Sequence, residues 1–202
     1  MPPGGRGGDP ARESPTPKEI TMKRIVASFF LSLDGVMEAP EKWHFPYFND
    51  EMGQAVEEQL FAADTMLMGR RTYEEFSGAF AGKTAEQDPI AGRINATPKY
   101  VVSTTMTGAD WENSTLIGGD VVEEVTRLKQ GGGGAIAMSG SATLVRTLLS
   151  AGLVDELRLL VHPIVVGAGA RLFDESAQIP LRLVESRTFA TGVLHLTYAP
   201  EA

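Results

Sequence analysis

From Ile25 onward, short apolar runs alternate with amphipathic segments. Ile25-Val26-Ala27-Ser28-Phe29-Phe30-Leu31 is apolar enough to predict a buried strand. Asn49 or Asp50 opens a predicted helix with Met52, Val56, Leu60 and Ala63 on one face. Residues 65–68 predict a second strand that ends at Gly69, and a short helix through Tyr73 and Phe76 follows at once. Residues 89–96 predict another short helix, and residues 99–103 a strand. Asp120-Val121-Val122-Glu123 has the spacing of a capping box, and Val125 and Leu128 continue the helix it begins. Residues 131–134, all glycine, form a flexible turn. Residues 135–138 predict a strand. Ser141 is then expected to cap a helix bearing Leu144, Val145, Leu148 and Leu149, which Gly152 stops in the left-handed conformation. Residues 157–166 predict a long strand, and residues 181–189 and 193–198 a closing antiparallel hairpin about Thr191-Gly192.

The alternation of strand and helix through the middle predicts an α/β fold: a mostly parallel sheet with helices on both faces. The strand-only end predicts an antiparallel edge. Residues 1–21 hold four glycines and five prolines and almost no bulky apolar residue, so they predict a disordered tail. Met22-Lys23-Arg24-Ile25 then looks like a natural start, with the tail as an upstream extension, and residues 22–202 are expected to form one domain.

Charge narrows the partners. The formal net charge is −8, and the tail is balanced, with Arg6, Arg12 and Lys18 against Asp9, Glu13 and Glu19. The rest of the chain carries the whole excess, which repels nucleic acid and anionic lipid. Any bound anion must therefore be held by a local pocket. There is no cysteine, which excludes disulfides, a cysteine nucleophile and thiolate metal sites, and fits a reducing cytoplasm. The three histidines are scattered, so no metal is expected; His162 reads as a satisfied strand residue. No apolar run reaches about 18 residues, and no secretory signal core is present.

Three segments could carry chemistry. In Gly69-Arg70-Arg71-Thr72 a strand ends and a helix begins, so unpaired first-turn N–H groups, two guanidinium groups and a hydroxyl come together. Met138-Ser139-Gly140-Ser141-Ala142-Thr143 repeats that design with hydroxyls, and Ser103-Thr104-Thr105 closes a third strand. Taken singly, each is also read as an ordinary turn or cap. All three fall at carboxyl ends of strands, where open α/β sheets bind ligands. Asp34, in Ser32-Leu33-Asp34-Gly35, either faces that crevice or only shapes its loop. Residues 36–48 contain Trp43, His44, Phe45, Tyr47 and Phe48, a candidate lid that could stack on a flat ring, or else a cluster covering the sheet edge. No dinucleotide fingerprint, P-loop or nucleophile elbow is present.

The order of these segments resembles the dihydrofolate-reductase-like superfamily. The branch most similar is that of the reductase domain of the riboflavin-biosynthesis deaminase–reductase. Ser32-Leu33-Asp34-Gly35, Gly69-Arg70-Arg71-Thr72-Tyr73-Glu74, Tyr100-Val101-Val102-Ser103, Met138-Ser139-Gly140-Ser141 and Val154-Asp155-Glu156-Leu157-Arg158-Leu159 carry the likeness. It continues through Pro163, Gly167-Ala168-Gly169 and Leu172-Phe173. The resemblance implies a three-layer fold with a mixed sheet of about eight strands, NADPH as cofactor with NADH as an alternative, hydride transfer to a small molecule, and a homodimer. It places Gly69, Arg70, Arg71 and Thr72 on the cofactor phosphates, and Ser103 and Thr104 near the adenosine ribose. Gly140, Ser141, Ala142 and Thr143 would lie around the pyrophosphate, and Asp34 toward the substrate. Trp43, Phe45 and Phe48 form the expected substrate loop. Thr104 and Thr105 stand where related enzymes often have a base, so selectivity for the 2′-phosphate falls to Arg70 and Arg71. No segment with deaminase zinc ligands precedes the first strand, so the chain is expected to differ from the bifunctional enzyme. The expected activity resembles 5-amino-6-(5-phosphoribosylamino)uracil reductase or dihydrofolate reductase; a non-catalytic nucleotide sensor on the same fold is the alternative.

Overall fold

Strand β1 (Arg24–Ser32) lies inside one eight-stranded sheet, with parallel β5 on one side and parallel β6 on the other. That position explains its unbroken apolar run. Ile25, Ala27, Phe29 and Leu31 face one core, and Phe30 faces another. The computed structural model describes residues 22–173 and 178–201, so the expected tail at 1–21 lies outside it. The described residues add α1 (Asp50–Ala62), β2 (Ala63–Gly69), α2 (Arg70–Phe80), α3 (Pro89–Ala96), β3 (Lys99–Val102) and β4 (Ser114–Ile117). They continue with α4 (Val121–Gln130), β5 (Ala135–Ser139), α5 (Ala142–Ser150), β6 (Glu156–His162), β7 (Leu181–Thr188) and β8 (Leu194–Pro200). The strand order is β4-β3-β2-β5-β1-β6-β8-β7. Pairing is parallel from β4 through β6 and antiparallel at β6–β8 and β8–β7.

The two-residue period of the strands sorts the layers. Leu67 joins the face covered by Val125 of α4 and by Leu144, Val145, Leu148 and Leu149 of α5. Its neighbours Met66 and Met68 face the other way, toward Tyr73 of α2, Ile94 of α3 and Trp111. Met52 and Ala55 of α1 pack on that second side against Leu160, Phe189 and Val193. Burying each such large side chain contributes about 1.5–3 kcal/mol.

Lys99 is wholly buried in this layer, yet its ammonium is fully partnered. Its Nζ donates to the carbonyls of Ile94 (2.8 Å), Asn95 (3.0 Å) and Thr97 (2.8 Å) at the end of α3, and lies 4.5 Å from the Trp111 ring centre. Burial draws this ammonium down to about 8.

Four expectations change. β4 was not anticipated: Ser114-Thr115-Leu116-Ile117 is short and half polar, and becomes a strand only by pairing with β3 at the sheet edge. Ala63 is the first residue of β2, not part of the helix face. β6 stops at His162, because Pro163 has no N–H to continue the ladder. Ser141 stands at the start of α5, but its side chain makes no cap. Among the described residues no helix is long and apolar enough to cross a membrane, and no group of three metal-ligating side chains occurs.

Candidate functional site

Strands β3, β2, β5 and β1 are successive parallel neighbours, so their carboxyl ends share one edge. Helix α2 leaves β2 directly at Gly69, and α5 leaves β5 after Gly140. A cavity of about 650 Å³ opens between the two helix starts and the loop that follows β1. Gly69, Arg70, Arg71 and Thr72 line it from α2, and Gly140, Ser141, Ala142 and Thr143 from α5.

The two helix starts are stitched together. The Gly69 N–H donates to Ser141 Oγ at 2.8 Å, and the same oxygen lies 2.8 Å from Thr72 Oγ1. This is where the Ser141 hydroxyl goes instead of to its own helix. Ser141 is left-handed (φ 57°), an uncommon conformation for a residue with a Cβ, and these bonds hold it there. Gly140 is also left-handed (φ 63°), and a Cβ on it would lie 2.4 Å from Thr72 Oγ1. Only glycine lets the two segments approach so closely.

The helix starts on this cavity differ from the others. Asn49 Oδ1 accepts from the Met52 N–H at 3.1 Å, Asp88 Oδ1 from the Ile90 and Ala91 N–H groups, and Asp120 Oδ1 from the Glu123 N–H. These bonds cap α1, α3 and α4. No side chain caps α2 or α5 among the described residues, and neither carries an acidic residue in its first turn. Their positive helix ends therefore meet the cavity unneutralised.

Arg70 pairs with Glu74 one turn on, at 3.0 Å. Arg71 is 72% exposed at its side chain and lies 3.9 Å from Glu38 of the loop after β1. Arg146 of α5, whose Nη2 is 3.5 Å from Thr143 Oγ1, also faces the cavity. Phe29, Phe30, Met37 and Pro40 add apolar surface to the cavity lining.

The profile of the RibD C-terminal domain family matches residues 23–195. This chain belongs to that family. The uncharacterized protein YyaP of Bacillus subtilis (strain 168) is 32% identical over 184 residues, covering 89% of this chain and 96% of its own. Among solved structures, a protein provisionally assigned to riboflavin biosynthesis from Shewanella sp. PV-4 superimposes with a TM-score of 0.73 at 19% identity, covering 89% of this chain and 99% of its own. Dihydrofolate reductase from Enterococcus faecalis, complexed with NADP(H), gives a TM-score of 0.60 at 16% identity over 89% of this chain and 97% of its own. These likenesses establish the dihydrofolate-reductase-like fold.

Within this RibD C-terminal fold, the other expected residues stand elsewhere. The Asp34 carboxylate accepts from Ser32 Oγ (2.6 Å), Val166 N–H (3.0 Å) and Gly167 N–H (2.9 Å), outside the cavity wall. The Ser32 hydroxyl and then these backbone donors hold its carboxyl down at about 2. It thus clasps the loop after β1 to the one after β6. Ser103 and Thr104 lie beyond the wall, which Val102 reaches. Ser103 Oγ accepts from the N–H groups of Thr105 and Met106 and so closes its own turn. In the aromatic loop, Trp43 is buried and donates from Nε1 to the Glu38 carbonyl, whereas Phe45 and Phe48 are exposed; none of the three lines the cavity.

Other residues of the wall escaped the sequence reading. Arg146 follows Thr143 by one helical turn, and that i, i+3 spacing was a usable signal. Glu38 and Arg171 had none. Glu38 is positioned by the Ala170 N–H, which donates to its Oε2 at 2.8 Å. Arg171 is fixed by the carbonyls of Asp34 (3.0 Å) and Gly167 (3.3 Å). Only the meeting of two distant loops creates either arrangement.

Proposed function

We propose that this chain is an NADPH-dependent reductase that passes hydride to a small-molecule acceptor, in the manner of 5-amino-6-(5-phosphoribosylamino)uracil reductase or dihydrofolate reductase. The observation that carries this reading is the pair of uncapped helix starts, joined through Ser141 and flanked by Arg70 and Arg71, on one cavity. NADPH fits the donor set. Its phosphates need N–H donors, hydroxyls and guanidinium groups in one place, and its pyrophosphate needs the close backbone approach that Gly140 allows. When bound, NADPH supplies the hydride.

The chain's own residues do the rest. The first-turn N–H groups of α2 and α5 bind the pyrophosphate, and the hydroxyls of Thr72 and Thr143 add donors. Arg70 and Arg71 take the 2′-phosphate. Phe30 and Met37 give the apolar surface against which a flat acceptor lies, and they exclude water from it. We assign the protein to the cytoplasm and to a homodimer on the same family reading.

NADPH fluorescence titration tests the proposal. Saturable binding is the expected result, and no binding at millimolar cofactor contradicts it. Arg70→Ala and Arg71→Ala should weaken NADPH more than NADH; equal weakening removes their 2′-phosphate role.

A non-catalytic nucleotide sensor is the second reading. In its favour, Asp34, the acid expected to serve the acceptor, is held ionised by its own loops. NADPH binding without turnover on pyrimidine, pterin and aldehyde acceptors would favour the sensor.

A further inference from the structure

The aromatic loop contains a feature that the cofactor reading does not use. His162 is the last residue of β6, beside Ser32 of β1, and is wholly buried. Its Nδ1 lies 2.8 Å from the Leu160 carbonyl and 3.2 Å from the Leu31 carbonyl. Carbonyls only accept, so Nδ1 carries the proton and Nε2 is left as a bare acceptor. That Nε2 is buried without a partner among the described residues. His44, on the loop, is 7% exposed, and its Nδ1 is buried without a partner in the same way.

Both imidazoles pack on Phe30. His44 stacks nearly flat on its ring, with centroids 4.8 Å apart and an interplanar angle of 14°. His162 meets the Phe30 ring edge-on at 5.6 Å, and also Trp43 at 5.2 Å and Tyr47 at 5.8 Å. The two imidazoles are 6.1 Å apart. Phe30 in turn lines the cavity. We infer that His44 and His162 form a proton-sensitive clamp that positions Phe30, and with it the apolar wall of the cavity.

The physical reason is that this packing suits neutral rings only. A proton added at His162 Nε2 would create a buried N–H with no acceptor and a charge among aromatic rings. The same proton on His44 would face that neighbour across 6.1 Å. The surrounding charges give little relief. Glu41 and Lys42 on the loop are exposed, and Glu41 acts on His44 less strongly than burial does. Glu51 of α1 is engaged by the Ala190 N–H and by Asn49. Tyr47 points its hydroxyl at the Pro163 carbonyl, 3.5 Å away. On the hairpin, His195 and Arg187 face Phe189.

Burial lowers both imidazoles from their ordinary value of 6.5. The sign follows: the closed loop is fully stabilised above pH 6.5 and loses stability as pH falls below it. Opening takes away the stacked partner of Phe30. The inference stands independently of which ligand the cavity holds.

The test is an amide and indole NMR titration of the full chain from about pH 7.5 to about pH 5. The Trp43 indole signal is identified by its loss in Trp43→Phe. The expected result is a shift of the Trp43 signal with a midpoint below 6.5, while Trp111 stays fixed. His44→Phe keeps a stacking ring, and His162→Asn keeps a donor for the two carbonyls. The double variant should lose the transition. A Trp43 signal that stays fixed to pH 5, or the same transition in the double variant, overturns the clamp. If circular dichroism shows the double variant unfolded, the histidine ring protons of the wild-type chain decide. Midpoints below 6.5 that coincide with the Trp43 shift support the clamp, and midpoints at the ordinary value with Trp43 unmoved overturn it.

Discussion

Helix α4 starts at Asp120, whose carboxylate accepts the Glu123 N–H at 3.0 Å, and Glu123 and Glu124 fill its first turn. Helix α2 starts at Gly69, has no side-chain cap, and puts Arg70 and Arg71 in its first turn. The backbone is the same in both, with N–H groups that lack intrahelical partners and a positive helix end. At α4 the chain satisfies and neutralises that end itself. At α2 it does neither and adds like charge. α5 matches α2 in lacking both a cap and an acidic first turn. Leaving two helix ends unfinished, and holding Ser141 left-handed between them, costs stability. That cost is localised where the cavity opens, as expected of a site completed by a bound anion.

Substitutions can break or sharpen this contrast. The largest effect belongs to the self-satisfied side. Lys99→Met leaves three buried carbonyls at the end of α3 without their donor and should cost about 3 kcal/mol of stability, with cofactor affinity unchanged, as read by urea unfolding and fluorescence titration. Gly140→Ala comes next, and should cost about 2 kcal/mol because alanine resists the left-handed backbone there. Unlike Lys99→Met, it should also weaken NADPH more than tenfold, since its Cβ pushes Thr72 out of the cavity wall. Asp88→Ala removes the acceptor of two N–H groups and should cost about 1 kcal/mol with no effect on binding.

Arg71→Gln gives the smallest and most telling change. Removing a cation from the positive end of α2 should raise stability by about 0.5 kcal/mol. The same substitution should weaken NADPH about tenfold, the loss of one charge-assisted bond. Stability and affinity moving in opposite directions is the signature of a helix end built for a ligand.

The residues near in sequence were legible, and those brought together across the sheet were not. Gly69-Arg70-Arg71-Thr72 and Gly140-Ser141-Ala142-Thr143 could be read because each is a strand end and helix start within one short segment, and both line the cavity. Their bond through Ser141 could not be read, because it spans 72 residues, and so Ser141 looked like an ordinary cap. Asp34 could be read either as a crevice acid or as a residue that shapes its loop, and its partners Val166 and Gly167, more than 130 residues away, were not legible. The fold was readable for the opposite reason: the apolar period of β1, β2 and β5 is local, and only β4, short and half polar, needed its neighbour to become a strand.

The most direct measurement is a ¹⁵N amide titration with NADPH on the full chain. The largest shifts should fall on the first-turn amides of α2 and α5, at Arg70, Arg71, Thr72, Ala142 and Thr143, while the capped starts of α1, α3 and α4 stay still. Saturating NADPH that leaves those five amides unmoved, or that moves the capped starts as much, would contradict the claim that the uncapped helix ends are the cofactor site.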